Sequence, residues 1–150
     1  MERIIAAVDG STSSLKAVAV AADLASKYGA ELILLTVTPE LSASLTAELA
    51  TYIRQEQIDV PVSELASPWA ENILADARLR AQANGAGRIS TCFSSGDAAE
   101  EIIVQAKGRR ADLIVVGSRG VGDTPLGELG STSGKIVRRS TRPVLVVPHR

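Results

Sequence analysis

The sequence predicts an α/β fold: one doubly wound domain over residues 1–150, with a five-stranded parallel sheet in the order 3-2-1-4-5 and helices on both faces. Short apolar segments alternate with helical segments almost throughout, and this alternation requires crossover connections between parallel strands. Several strand segments are apolar at nearly every position, as expected where helices cover both faces of a sheet. The chain has 150 residues, 45% of them hydrophobic, which suits one core without disulfides or structural metals.

The first strand and helix are predicted at the N-terminus. Residues 4–8 form a nearly continuous apolar run that ends at Asp9-Gly10, which indicates a buried strand followed directly by a turn. Hydroxyl side chains at positions 11–14 are typical of a helix N-cap, and apolar residues then recur at helical spacing until Gly29. These residues therefore form the first βα unit.

Four further strands are predicted by short runs rich in β-branched and other apolar residues. Helices are expected between the last three of them, over residues 98–107 before Gly108 and over residues 131–140 before Pro143. The four strands cover residues 31–37, 88–93, 112–116 and 144–147.

The connection over residues 39–67 is unusually long and predicts two additional helical features. An apolar residue recurs every four positions before Val60-Pro61, which indicates an extra amphipathic helix. We expect its stripe to pack against the domain; a lid or a partner surface is the alternative. A second helix begins at Ser67-Pro68 and ends before Asn84-Gly85, with Trp69 expected to anchor its first turn rather than to stack on a ligand. The stripe consists of Leu41, Leu45, Leu49 and Ile53.

Composition excludes several classes of function. Lysine and arginine total 16 against 17 aspartate and glutamate, and only 3% of residues are aromatic, so no nucleic-acid surface is indicated. Cys92, expected to be a buried strand residue, and His149 are the only residues of their types, which leaves no disulfide, zinc cluster or histidine-based triad. No signal peptide or membrane-length apolar segment is apparent, so we expect a cytoplasmic protein without membrane insertion.

The residues most suggestive of chemistry lie between the predicted fourth strand and the last helix, from Gly117 to Ser131. Ligands of open parallel sheets bind beyond the carboxyl ends of the strands where strand order reverses, here between the strands that end at Asp9 and Gly117. Glycines allow close approach of the backbone, and the free N–H groups of a helix start, here at Gly130, Ser131 and Thr132, favour phosphate. Turn-forming glycines with Ser131 as an N-cap are the structural alternative. The combination favours phosphate binding.

The glycines follow the spacing G-x2-G-x9-G-[ST], satisfied by Gly117, Gly120, Gly130 and Ser131. With this motif the chain resembles the universal stress protein family, in particular its ATP-binding branch. The resemblance runs from residues 7–11 through residues 111–118 to residues 142–147, and so covers the whole chain. It implies a Rossmann-like fold of the adenine nucleotide alpha hydrolase type, and ATP, with or without Mg²⁺, as the cofactor.

The resemblance also implies which residues contact the nucleotide. Two groups are expected, one at the adenine and one at the ribose and phosphates. They are Asp9 and the backbone of Val37 for the adenine, and Gly117, Gly120, Gly130, Ser131 and Thr132 for the ribose and phosphates.

Three departures from the family pattern affect this site. Ala7 stands where some ATP-binding members carry proline, Thr132 where valine is common, and the loop contains Asp123 and Pro125. Asp123 near a polyphosphate would repel it unless a cation or Arg119 compensates.

A phosphate loop of the Walker type is excluded, although residues 130–136 look similar. One residue is missing between the glycines, and Ile136 stands where serine or threonine should bind magnesium. Lys135 is expected to be a solvated helix residue. No general base or second substrate site is evident for an ATP-using enzyme, so we expect at most a weak ATPase.

The leading functional hypothesis is an ATP-dependent regulator in a stress response, with an unidentified protein partner. The alternatives are a slow ATP hydrolase and a dimeric adaptor that binds no nucleotide. Val144 to Val147 would lie at the sheet edge, where an apolar strand tends to pair with another chain. Family members that this chain resembles dimerise there, so a homodimer is expected.

Overall fold

The computed structural model describes residues 1–40, 43–57, 59, 67–120 and 128–149. Its strands are β1 (Arg3–Ala7), β2 (Glu31–Thr38), β3 (Arg88–Ser95), β4 (Leu113–Gly117) and β5 (Val144–Val147). Its helices are α1 (Thr12–Tyr28), α2 (Ala43–Gln55), α3 (Ser67–Ala83), α4 (Ala98–Gly108) and α5 (Ser131–Arg139). All strands pair in parallel, in the order β3-β2-β1-β4-β5, which confirms the predicted fold and strand order.

Each face of the sheet packs on its own pair of helices. Alternate residues of a strand point to opposite faces, so Ile4 joins the core under α1 and α3, whereas Ile5 joins the core under α4 and α5. Both residues are fully buried. Helices therefore cover both faces, and β3 and β5 are left as the two edges of the sheet.

Local chemistry explains where the first helix begins and ends. The Ser11 side chain accepts a hydrogen bond from the Ser14 N–H at 3.1 Å and so caps α1. At the other end, Gly29 adopts a left-handed conformation with φ of 64°, which a side chain would disfavour. The chain then enters β2 at Glu31.

The extra helix in the long connection is present as α2. Ile53 of the predicted stripe is buried and Leu49 is partly buried, in keeping with packing on the domain. Leu41, the Leu45 side chain and Val60-Pro61 lie outside the described residues. In the part of the chain that the structure describes, no helix is both long and apolar enough to cross a membrane.

Cys92 is partly rather than fully buried, because β3 is an edge strand. It packs against the core under α4 and α5, and this burial raises the pKa of its thiol. The expectation of a buried strand cysteine is therefore correct for the strand and only partly correct for the burial.

Candidate functional site

A cavity of about 840 Å³ lies beyond the carboxyl ends of β1, β2 and β4. This is the point where strand order reverses, since β1 is flanked by β2 on one side and by β4 on the other. The volume falls within the range of pockets that hold small molecules and cofactors. All the residues predicted from the sequence line this one cavity: Asp9, Val37, Gly117, Gly120, Gly130, Ser131 and Thr132.

Asp9 both shapes the turn after β1 and faces the cavity. Its Oδ1 accepts a hydrogen bond from the Ser11 N–H at 2.9 Å, and Gly10 follows with φ of 84°. Its Oδ2 lies 2.9 Å from the position that a Cβ at Gly120 would occupy. The turn-forming role expected of Asp-Gly is therefore real, and it leaves one carboxylate oxygen beside the glycine loop.

Val37 extends past the end of β1. The Glu31 N–H bonds to the Glu2 carbonyl at 2.8 Å, and the Leu35 carbonyl accepts from the Val8 N–H at 2.8 Å, so every second residue of β2 directs its peptide groups towards β1. The same alternation turns the N–H and C=O of Val37 towards the β1 side of β2, where β1 has ended at Ala7 and the cavity begins. A donor and an acceptor are thus presented side by side.

Gly117 is required by packing between elements. A Cβ at this position would lie 2.5 Å from Ser13 Oγ and 2.8 Å from the Ser13 carbonyl carbon, both in α1. The same Ser13 Oγ accepts a hydrogen bond from the Arg119 N–H at 3.3 Å. The first glycine of the motif therefore allows α1 to approach the end of β4.

Ser118 fixes the two ends of the glycine loop. Its N–H donates to the Val147 carbonyl at 2.9 Å, while its carbonyl accepts from the Gly130 N–H at 2.8 Å and from Ser133 Oγ at 3.2 Å. Gly130 therefore lies directly beside the chain that leaves β4. The predicted effects of Asp123 and Pro125 concern residues outside the described part of the loop.

Among the described residues, no side chain caps the start of α5. Gly130 occupies the N-cap position and Ser131 is the first helical residue, so the alternative in which Ser131 caps this helix is wrong. By contrast, side chains cap α1 and α4, from Ser11 and Asp97 respectively. The first amides of α5, at Ser131 and Thr132, are therefore available to an anion in the cavity, and the helix dipole favours one there.

The matching family model spans residues 1–148 and describes the universal stress protein family. The chain belongs to this family. It is 36% identical over 148 residues to the universal stress protein YxiE of Bacillus subtilis (strain 168), covering 97% of each chain. The stress response protein NhaX of the same strain is 34% identical over 166 residues, again with 97% of each chain covered.

Two solved structures extend the comparison. A universal stress protein crystallised in complex with cAMP is 28% identical, with a TM-score of 0.71, and the match covers 99% of this chain and 98% of that one. Universal stress protein UspA from Lactobacillus plantarum has a TM-score of 0.77 at 23% identity, with 97% of each chain covered. The likeness to UspA shows that the present chain has the same fold as that protein.

Charged side chains are sparse in the site of this family member. Among the described residues that line the cavity, Arg119 is the one cation and Asp9 the one anion. Lys135 does not line it: its Nζ lies 3.4 Å from Oδ2 of Asp97, the residue that caps α4. The pKa of Asp97 is held below its ordinary value, first because the carboxylate accepts the Glu100 N–H and then because Lys135 lies beside it.

Several lining residues were not predicted from the sequence. Ser133 is buried and its hydroxyl also bonds to the Gly130 carbonyl at 3.1 Å. Trp69 is 49% exposed and lines the cavity, a position that the sequence did not indicate. The signal that was missed is the position of α3 and α5, whose first turns both border the cavity.

Proposed function

We propose that this universal stress protein binds ATP in the cavity and acts as a nucleotide-dependent regulator in a stress response. The observation that carries the proposal is that one cavity is lined both by the start of α5, which no described side chain caps, and by Val37, whose peptide groups point past the end of β1. The phosphates of ATP need amides such as those at the start of α5, and its adenine needs a donor and an acceptor such as those of Val37. The two parts are at opposite ends of the ligand. The 28% identical relative in complex with cAMP, also an adenine nucleotide, supports this class of ligand.

The adenine end of the proposed site is built by β1 and β2. The N–H of Val37 would donate to an acceptor nitrogen on the edge of the base, and its C=O would accept from the exocyclic amine. Asp9 would lie beside the base through Oδ2, the carboxylate oxygen that faces the glycine loop. A purine with an amino group at this edge matches the pair, whereas a carbonyl there would face the C=O of Val37.

The phosphate end is built by the glycine loop and α5. Gly120 and Gly130 have no side chains that would keep a ligand away from the backbone. Ser131 and Thr132 would supply amides and hydroxyls to phosphate oxygens. Arg119 would balance part of the phosphate charge. Mg²⁺, if bound with ATP, would be held mainly by phosphate oxygens and water.

Substitution of Ser131 by aspartate tests the phosphate end without threatening the fold. Ser131 is exposed at the first position of α5, where a carboxylate is favourable to the helix dipole yet repels a phosphate. Thr12→Asp is the matched control, because Thr12 is the exposed first residue of α1, which Ser11 caps outside the cavity.

The three proteins would be purified without added nucleotide and denatured, and any released ligand would be identified by mass spectrometry. We expect ATP or ADP in the wild type and in Thr12→Asp, but not in Ser131→Asp, with all three folded. Equal nucleotide content in Ser131→Asp would contradict the assignment of the phosphate end.

A homodimer formed through β5 is the second part of the proposal. Pairing of two identical edge strands about a two-fold axis is antiparallel and would join two sheets into one. The Ile114 N–H donates to the Pro143 carbonyl and the Ser118 N–H donates to the Val147 carbonyl, so odd-numbered residues of β5 face β4. The peptide groups of Val144 and Val146 therefore point to the outer edge.

Val146→Pro removes an outward N–H and leaves the hydrogen bonds to β4 in place. Gel filtration with light scattering should show a dimer for the wild type and a folded monomer for the variant. A dimer of unchanged stability in Val146→Pro would contradict pairing through β5. The cytoplasm is the proposed location, and the single thiol of Cys92 fits a reducing compartment.

A further inference from the structure

We infer that Trp69 forms the outer wall of the base site, with its indole stacked on the purine ring of the bound nucleotide. The inference rests on the proposed function and deepens it, because it adds an aromatic face to the polar edge of Val37. It assigns a ligand contact to a residue outside the glycine motif.

The rotation of α3 directs Trp69 away from the core. Ala70, the next residue, is fully buried, and so is Ala77, two turns further along the same face. Successive helix residues are about 100° apart, so Trp69 lies at the margin of this buried face. Small alanines on the buried face of α3 pack close to α1, so the large indole of Trp69 stays outside this face and is 49% exposed.

The same margin of α3 borders the turn after β1. Ile73 lies one turn after Trp69, and its Cδ1 is 3.4 Å from the position that a Cβ at Gly10 would occupy. Asp9, Val37 and Trp69 line one cavity. Through Ile73, the margin of α3 that carries Trp69 therefore borders the turn of Asp9, the residue assigned to the base.

An exposed indole inside a cavity favours a flat aromatic ligand. Trp69 is 49% exposed and lines the cavity, and an aromatic ring covering its indole would remove apolar area from both partners. Stacking accepts any base, while the N–H and C=O of Val37 select the base by its edge. The two contacts together account for both affinity and selectivity at this end.

Trp69 is the only tryptophan of the chain, so tryptophan fluorescence reports on this residue alone. The wild-type protein would be titrated with ATP, with adenosine, which has the base but no phosphate, and with inorganic tripolyphosphate, which has no base. We expect ATP and adenosine to change the emission. Tripolyphosphate should leave it unchanged even where it displaces ATP.

Affinity would be measured separately by equilibrium dialysis of radiolabelled ATP against the wild type, Trp69→Phe, Trp69→Ala and the control Tyr28→Ala. Tyr28 is an exposed aromatic residue at the far end of α1. Trp69→Ala should weaken binding about tenfold or more, and Trp69→Phe less, because phenylalanine keeps an aromatic face. Tyr28→Ala should bind as the wild type does, and circular dichroism would verify that each variant is folded.

The outcomes separate this inference from the proposed function. If the wild type binds ATP but Trp69→Ala binds equally well, or if adenosine leaves the emission unchanged, stacking on Trp69 is wrong and the ATP site stands. If dialysis detects no ATP binding by the wild type, the proposed function fails and the stacking role with it.

Discussion

Gly117→Ala isolates the packing role of the first motif glycine. The new methyl group would lie 2.5 Å from Ser13 Oγ and within 2.9 Å of the Ser13 carbonyl carbon and oxygen. Rotation of the Ser13 side chain relieves only the first of these contacts, because the other two are to backbone atoms. The N-terminal turn of α1 must therefore move away from β4. Gly117 does not have a positive φ, so the effect arises from the contact and not from backbone strain.

The size of the effect follows from two contributions. Overpacking against a backbone costs about 1–3 kcal/mol. Displacement of Ser13 also weakens the hydrogen bond that its Oγ accepts from the Arg119 N–H, worth about 0.5–1.5 kcal/mol. We expect the free energy of unfolding to fall by about 2–4 kcal/mol, which lowers Tm by roughly 5–15 °C for a chain of this size.

Thermal unfolding followed by circular dichroism measures this change, with Gly108→Ala as the matched control. Gly108 is the last residue of α4, it lacks a positive φ, and a Cβ there would meet nothing within 4 Å. The control should melt at the wild-type temperature or slightly above, because alanine is the better helix former. A Gly117→Ala protein that melts within about 2 °C of the wild type would refute the packing role.

Three further predictions concern neighbouring residues. Gly120→Ala places a Cβ 2.9 Å from Asp9 Oδ2, a movable side-chain atom, so ATP affinity in equilibrium dialysis should fall about tenfold while Tm stays near the wild-type value; unchanged affinity would contradict the contact. Ser133→Ala loses the hydroxyl proton that two carbonyls share and should cost about 1–2 kcal/mol in urea unfolding; no loss would contradict closure of the loop by Ser133. Asp97→Asn keeps the α4 cap but removes a carboxylate whose folded pKa lies below its ordinary 3.8. The wild type should be the more stable protein at neutral pH, and its advantage in Tm should disappear as the pH falls through that lowered pKa; a difference independent of pH would contradict the charge effect.

Much of the fold is predictable because its signals are local and its topology has few solutions. The strand order follows from alternating strands and helices with right-handed crossovers, and the structure has that order. The helix α2 follows from apolar residues at a spacing of four. The glycine spacing, together with the Asp-Gly turn, predicts a set of residues that one cavity brings together.

What the sequence does not reveal depends on orientation and close contact. Trp69 is the largest side chain of α3, yet the small residues Ala70 and Ala77 face the core, because the helix lies close to α1. Residue size alone therefore does not predict which residues of α3 face the core. Gly117 and Gly120 are equivalent in the motif. In the structure, a Cβ at Gly117 would contact the backbone of α1, whereas a Cβ at Gly120 would contact the carboxylate of Asp9. No sequence motif marks Ser133, because its hydroxyl contacts backbone carbonyls. One belongs to Gly130, three residues earlier, and the other to Ser118, at the far end of the loop.

The most direct test of the central claim is calorimetric titration of nucleotide-free wild-type protein with Mg-ATP up to millimolar concentration, with Ser131→Asp and Thr12→Asp titrated alongside. The account predicts saturable binding of one ATP per chain by the wild type and by Thr12→Asp. Binding by Ser131→Asp should be about tenfold weaker or more, because the added carboxylate faces the phosphates. Absence of binding by the wild type over this range would contradict the ATP site and would favour a dimeric adaptor that binds no nucleotide.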